Sequence, residues 1–348
     1  MKVFVSYSHH DPDQRSLQFG RSLTRFLLEH GVEVFFDELS LRHGEPLAEQ
    51  LVSSIYRADK FLLIASSEAF DSNYVQTELK YARDRAVTMH PQAFIHVVSM
   101  GGELSLEYLP PDLRASVCHI ARDKTSRRLL YEVFLALHGV EVGQLIALQL
   151  AHHPGAKWLY LESYRTLDII GYDGTTRVTA IRAVCNLDKE DGYWSDFASS
   201  WATNSTEDRE MEVTARSEDG RALQVSRVYE MYRGKRASRA KVEFLEPISP
   251  GDVGVYRTEY VWPQAFNLKA GDTYTLDAHE RAYGYLRLDL LVPRYGTLTT
   301  PRVQVVQPDG SQIEQEMRQI GWNEYTSSFV PSLPGVRYDF VLPKLVAT

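Results

Sequence analysis

The hydrophobic period changes once along this chain, near residue 157, and that change limits the fold more than any other feature. Before it, apolar runs of strand length alternate with segments whose apolar residues recur every three or four positions. After it, short runs of alternating apolar and polar residues follow one another, punctuated by Gly and Pro. One core cannot serve both patterns, and 348 residues are too many for one ordinary core. Two units follow.

In the first half, "KVFVSYS", "VEVFFD", "KFLLIASS", "AFIHVVSM" and "VCHIAR" have strand character. Between them lie residues 14–29, with Leu17, Phe19, Leu23, Phe26 and Leu27 at helical spacing, then "EPLAEQLVSSIYRA" and "YVQTELKYARDRA". "SRRLLYEVFLALHG" closes the series, with Gly139 as its stop signal. Strands alternating with helices over short connections imply a parallel sheet covered on both faces, and such sheets bind ligands at the C-terminal ends of their strands.

Residues 143–153 keep a helical pattern. From Trp158 onward, "TLDIIGYDGTTRVTAIRAV" predicts a hairpin around "YDGT", and "MEVTARSEDGRALQVSRVYEMY" predicts a second around "EDG". Further alternating runs continue to "RYDFVL". All five tryptophans lie at or after Trp158, so the two halves build different cores. The expected architecture is an α/β unit over 1–140, a connecting helix or hinge over 141–157, and an all-β antiparallel sandwich over 158–348.

A net charge of −8 argues against a general nucleic-acid coat, because phosphate neutralisation needs a basic surface. The exception is "RGKRASRAK", which puts Arg233, Lys235, Arg236, Arg239 and Lys241 close together. Either a solvated strand end or an anion or nucleic-acid contact explains it. No apolar run has the length to cross a bilayer, and the N-terminus lacks the apolar core of a signal peptide, so no membrane partner is expected. Cys118 and Cys185 are too few and too separated for a disulfide framework; both are expected reduced and the compartment cytoplasmic.

Glycine-rich dinucleotide loops, phosphate loops, H-E-x-x-H, G-x-S-x-G and C-x-x-C are all missing. His9–His10 and His152–His153 are neighbours in sequence and share no helix face, so no metal site is expected. Four segments lie just past strand ends on one sheet edge instead. They are "VFVSYSHHD" with Ser6, Tyr7, Ser8 and Asp11; "FFDELSLRHGEPL" with Asp37 and Gly44; "LLIASSEAF" with Ser66 and Ser67; and "SNYVQTEL" with Tyr74 and Glu78.

In order and spacing these segments resemble a Toll/interleukin-1 receptor (TIR) domain of the bacterial type, over about residues 1–140. The resemblance implies a flavodoxin-like, five-stranded parallel sheet. It also implies cleavage of NAD+ between nicotinamide and ribose, with ADP-ribose or a cyclic isomer as the other product. Glu78 stands where the family has its catalytic glutamate. Tyr74 stands where the family often has tryptophan. Tyr7, Ser8, Asp37, Gly44, Ser66, Ser67 and Tyr74 are the implied substrate contacts, with NAD+ as substrate and no cofactor. TIR self-association, antiphage defence, and an unknown trigger ligand or protein at the β-rich half are further implications. The residues alone leave two readings of Glu78 open: a catalytic carboxylate, or an exposed helix residue paired with Lys80 or Arg83. A non-catalytic scaffold working by homotypic contact stays open with the second.

Overall fold

The structure is a computed structural model, and it describes residues 1–8, 15–36, 47–89, 94–100, 109–114, 117–120, 126–199, 213–218, 220, 223–232, 235–278, 281–293 and 297–346. The chain divides into two compact units, Met1–Glu141 and Val142–Thr348.

In the first unit the strands are β1 (Lys2–Ser6), β2 (Glu33–Phe36), β3 (Lys60–Ala65), β4 (Ile95–Ser99) and β5 (Val117–Ile120). They lie in the order β2-β1-β3-β4-β5, joined by four parallel pairings. The helices are α1 (Arg15–Glu29), α2 (Leu47–Arg57), α3 (Ser67–Asp71), α4 (Asn73–Val87), α5 (Pro111–Arg114) and α6 (Ser126–Leu137). Phe61 to Ala65 are completely buried, as a parallel strand covered on both faces requires. The third strand ends at Ala65, two residues earlier than its sequence suggests. Ser66 is an N-cap, and Ser67 begins α3, a short helix the sequence pattern did not mark. Polar residues past a strand end carry no period, so a single helical turn there leaves no signal.

Helix α4 follows at once, capped by Ser72, whose side chain accepts from the Val75 N–H at 3.4 Å. Its buried stripe is Val75, Glu78, Leu79, Ala82 and Ala86, at the spacings of one helix face. Tyr74 and Tyr81 are partly buried against the same core.

The second unit begins with α7 (Val142–His152), whose Gln149 accepts a hydrogen bond from the Ala282 N–H at 2.6 Å. Its strands are β6 (Trp158–Ile169), β7 (Thr176–Asn186), β8 (Ser195–Ser199), β9 (Val213–Ser217), β10 (Gln224–Tyr232), β11 (Lys235–Glu243), β12 (Val253–Trp262) and β13 (Thr273–Asp277). They continue as β14 (Tyr283–Leu291), β15 (Thr297–Leu298), β16 (Arg302–Val306), β17 (Gln312–Glu316), β18 (Arg318–Gly321), β19 (Glu324–Phe329), β20 (Arg337–Val341) and β21 (Leu345–Val346). The largest sheet has the order β18-β19-β14-β6-β7-β12-β9, and smaller sheets are β13-β20-β16-β17, β10-β11-β8 and β15-β21. The main apolar cluster takes Leu167, Leu288 and Tyr260 from the largest sheet and Tyr274, Val303 and Phe340 from the four-stranded one.

Two expectations need correction. The unit is not wholly antiparallel, because β6 and β14 pair in parallel. Strand β14 lies between β6 and β19, parallel to the first and antiparallel to the second, while β6 pairs antiparallel with β7 on its other side. The expected hairpin over 211–232 does not continue past its turn. Leu223 N–H still reaches the Ala215 carbonyl, but β9 then pairs with β12, and β10 with β11. The basic run belongs to the β10–β11 hairpin, where Lys241 pairs with Glu243; Arg233 lies outside the described residues. Among the described residues no single helix is long and apolar enough to cross a membrane.

Candidate active site

Burying a carboxylate is costly unless hydrogen bonds replace its water. Glu78 is only 2% exposed, on the packed stripe of α4. The Ser6 hydroxyl, at the C-terminal end of β1, donates to Glu78 Oε2 at 2.5 Å. This is the length of a charge-assisted O–H···O⁻ bond. The reading of Glu78 as an exposed residue paired with Lys80 or Arg83 therefore fails. Lys80 is exposed, and Arg83 pairs with Asp112 at 2.6 Å.

Around this pair the sheet ends in small hydroxyls. Strand β1 ends in Ser6, β3 is followed by Ser66, and β4 ends in Ser99. Ser6 is the register partner of Leu63, and Ala65 of Ser99, so the three mark one sheet edge. Ser66 and Ser99 are buried, and their hydroxyls have no hydrogen-bond partner among the described residues. Ser66 holds the N-cap position of α3 without a side-chain cap bond, so capping does not account for its hydroxyl.

Past β1, Tyr7 is buried with its ring stacked on Phe36 at 4.7 Å, and Ser8 is buried beside it in sequence. Tyr74 lies one turn before Glu78 on α4, half-buried. The structure thus brings together Ser6 and Glu78 and places Ser66 on the same sheet edge. Asp37 and Gly44 lie outside the described residues, as does the side chain of Ser67. Ser99 was not among the residues expected from sequence. Its signal was available, since "FVS", "IAS" and "VVS" each end an apolar strand in serine.

Such an edge offers a buried carboxylate and hydroxyl groups at the C-terminal ends of parallel strands, the side of the sheet on which ligands bind. It can orient the hydroxyls of a sugar and stabilise positive charge developing beside the carboxylate.

Residues 3–127 match the TIR domain family. No curated protein matches the chain. Among solved structures, the TIR domain of a Toll-related receptor from Hydra magnipapillata is similar at 17% identity and TM-score 0.31, over 39% of this chain and 97% of that one. A metazoan TIR-STING receptor from C. gigas, in complex with 2′,3′-cGAMP, is similar at 14% identity and TM-score 0.30, over 53% of this chain and 69% of that one. A prokaryotic SEFIR domain is similar at 25% identity and TM-score 0.25, over 32% and 75%. Residues 3–127 of this chain are a TIR domain, fused to a β-rich remainder.

Proposed function

We propose that the first unit is an NAD+ nucleosidase that cleaves the bond between nicotinamide and ribose. The observation that supports this is the buried Glu78 carboxylate held by Ser6 at the C-terminal edge of the sheet. Nicotinamide leaves as a neutral molecule, taking the electron pair of the C1′–N1 bond, and needs no acid to protonate it. Positive charge develops on the ribose C1′ and ring oxygen, and a carboxylate beside the sugar lowers the energy of that charge. Water attack at C1′, with loss of its proton, gives ADP-ribose; attack by an adenine nitrogen gives a cyclic isomer.

In this reading Ser6 orients Glu78, Ser66 contacts a ribose or phosphate oxygen, and Tyr74 walls the nucleotide. Tyr7, Ser8, Asp37, Gly44 and Ser67 complete the substrate contacts. NAD+ is the substrate and no cofactor is used. Self-association of TIR domains activates the chemistry in the cytoplasm, and antiphage defence is its setting. The second unit, a sandwich-like sensor or assembly module, receives the trigger.

The test is nicotinamide release from NAD+ by concentrated full-length protein beside Glu78→Gln, with product analysis to separate hydrolysis from cyclisation. Release by wild type that the variant loses at least about a hundredfold is the expected result. Equal release from both removes the enzyme reading and leaves a scaffold acting by homotypic contact.

A further inference from the structure

Strand β12 alternates cleanly over its second half. Tyr256, Thr258 and Tyr260 are buried, while Arg257 and Glu259 between them are exposed and mark the face turned away from the core. Register carries that face onto the neighbouring strands, because paired residues share a side of the sheet. Arg257 is the partner of Ile181 on β7 and of Arg216 on β9, and Glu259 is the partner of Thr214 on β9. Strand β9 is the last of this sheet, and Gly220 follows it at a turn.

This face holds a cleft of about 440 Å³, a size that suits a small molecule. Half-buried Ile181 and Val255 supply its apolar part, and Tyr256 borders it between Val255 and Arg257. Its charge comes from Arg216, Arg257, Glu218 and Glu259. Two arginines directly opposite each other on adjacent strands repel. Glu259 answers one of them, with its Oε1 2.5 Å from Arg257 Nη2. Arg216 is exposed and has no hydrogen bond or ion pair with another described residue. The two glutamates flank the arginine row. Glu259 lies two residues along β12 on one side, and on the other lies Glu218, whose N–H donates to the Val255 carbonyl at 3.2 Å. One negative charge fits between them and relieves the repulsion, whereas a second would meet a glutamate.

We propose that this outward cleft of the second unit binds a small organic monocarboxylate, with its carboxylate on Arg216 and Arg257 and its apolar body on Ile181 and Val255. The planar N–H fork of arginine matches the two oxygens of a carboxylate. The inference does not rest on the chemistry proposed for the first unit.

Full-length protein at fixed ionic strength would be titrated calorimetrically with N-acetyl-L-leucine, with its uncharged amide and with acetate. N-acetyl-L-leucine should bind, and the other two at least about tenfold more weakly, since the amide lacks the charge and acetate lacks the apolar body. Arg216→Met should weaken binding of N-acetyl-L-leucine at least about tenfold, with the unfolding temperature unchanged or raised, because the change removes a like-charge neighbour of Arg257. Arg177→Met is the control; Arg177 lies on the same face, 3.7 Å from Asp168, and does not line the cleft, so this variant should bind as wild type does. If Arg216→Met does not fold, Arg216→Lys keeps the charge and loses the fork, and must still weaken binding. Succinate, with two carboxylates, should bind wild type more weakly than N-acetyl-L-leucine and recover part of the difference in Glu218→Gln. The proposal is overturned if N-acetyl-L-leucine does not bind wild type at up to about 10 mM, if its amide or acetate binds equally well, or if binding survives the Arg216 variants unchanged.

Discussion

Replacing Ser6 by Ala removes the hydroxyl that donates to Glu78 Oε2 while leaving the carboxylate where it is, 2% exposed on the packed face of α4. Two quantities set the expected cost. A hydrogen bond to a charged group contributes about 1.5–3 kcal/mol, and a buried carboxylate deprived of a donor keeps its desolvation penalty. Ser6→Ala should therefore destabilise the first unit by about 2 kcal/mol, which lowers its unfolding temperature by roughly 5–10 °C for a unit of this size. Glu78→Gln keeps an acceptor for the Ser6 hydroxyl and drops the charge, so its cost should be smaller. The two changes share one bond, and the double variant should be more stable than the sum predicts by about 1–2 kcal/mol. Equilibrium denaturation of the four proteins measures this. Nicotinamide release on the same set should show kcat falling in Ser6→Ala with KM little changed, as expected for a residue that orients another. Additive stabilities, or a Ser6→Ala protein within about 0.5 kcal/mol of wild type, would refute the claim that this bond holds the carboxylate.

Tyr74 packs on the core of the first unit, so Tyr74→Ala should cost about 1–2 kcal/mol. If its ring also walls the nucleotide, Tyr74→Ala lowers kcat/KM at least about tenfold while Tyr74→Trp keeps it; stability loss with kcat/KM intact makes Tyr74 a core residue only. Burial first, then the N-terminal amine, Lys60 and His30, lower His138 from 6.5 to about 4. The unfolded chain takes up this proton before the folded one, so the contribution is whole above pH 6.5 and is lost as pH falls towards 4. The His138 ring is desolvated against Phe134, at 4.8 Å between centroids, while the residue as a whole is more than a third exposed, so solvent screening keeps the loss small and denaturation midpoints of His138→Gln should vary less over that window than those of wild type. Gly174 and Gly220 both have φ of +83°, but a Cβ on Gly174 would meet the Phe266 carbonyl oxygen at 1.8 Å and one on Gly220 meets nothing within 4 Å among the described residues. Gly220→Ala should thus cost about 1–2 kcal/mol and Gly174→Ala clearly more, enough to disrupt the β6–β7 turn; equal midpoints for the two variants would contradict this.

The first unit was legible because its strands are buried on both faces, and continuous apolar runs such as Phe61–Ala65 have few other uses. The second was legible as strands and not as a topology. Alternation states which face a residue takes, and says nothing of which strand lies beside it. Hence β9 and β10, adjacent in sequence around Gly220, part into different sheets, and β6 meets β14 across more than a hundred residues. Local turn chemistry was satisfied in the first case, with the Gly220 N–H bonded to the Ser217 carbonyl, yet packing decided the pairing.

In both units some charged residues stand in phase with an apolar period. Position 78 falls three residues after Val75 and four before Ala82, inside the stripe that α4 buries. Arg165 alternates in step with Leu167 and Ile169 on β6, and Arg182 with Val178, Ala180 and Val184 on β7. Sequence shows each phase coincidence, but it cannot show the partner, because Ser6 lies 72 residues from Glu78 and Tyr256 lies 74 from Arg182. A charge in phase must be compensated or the element must turn away from its core. For Glu78 the Ser6 hydroxyl compensates one oxygen at the C-terminal edge of the sheet, the edge on which parallel sheets of this kind bind ligands. For Arg165 and Arg182 the hydroxyls of Tyr274 and Tyr256 each take one donor of the guanidinium group, so a charge in phase is met by a hydroxyl from a distant strand in both units.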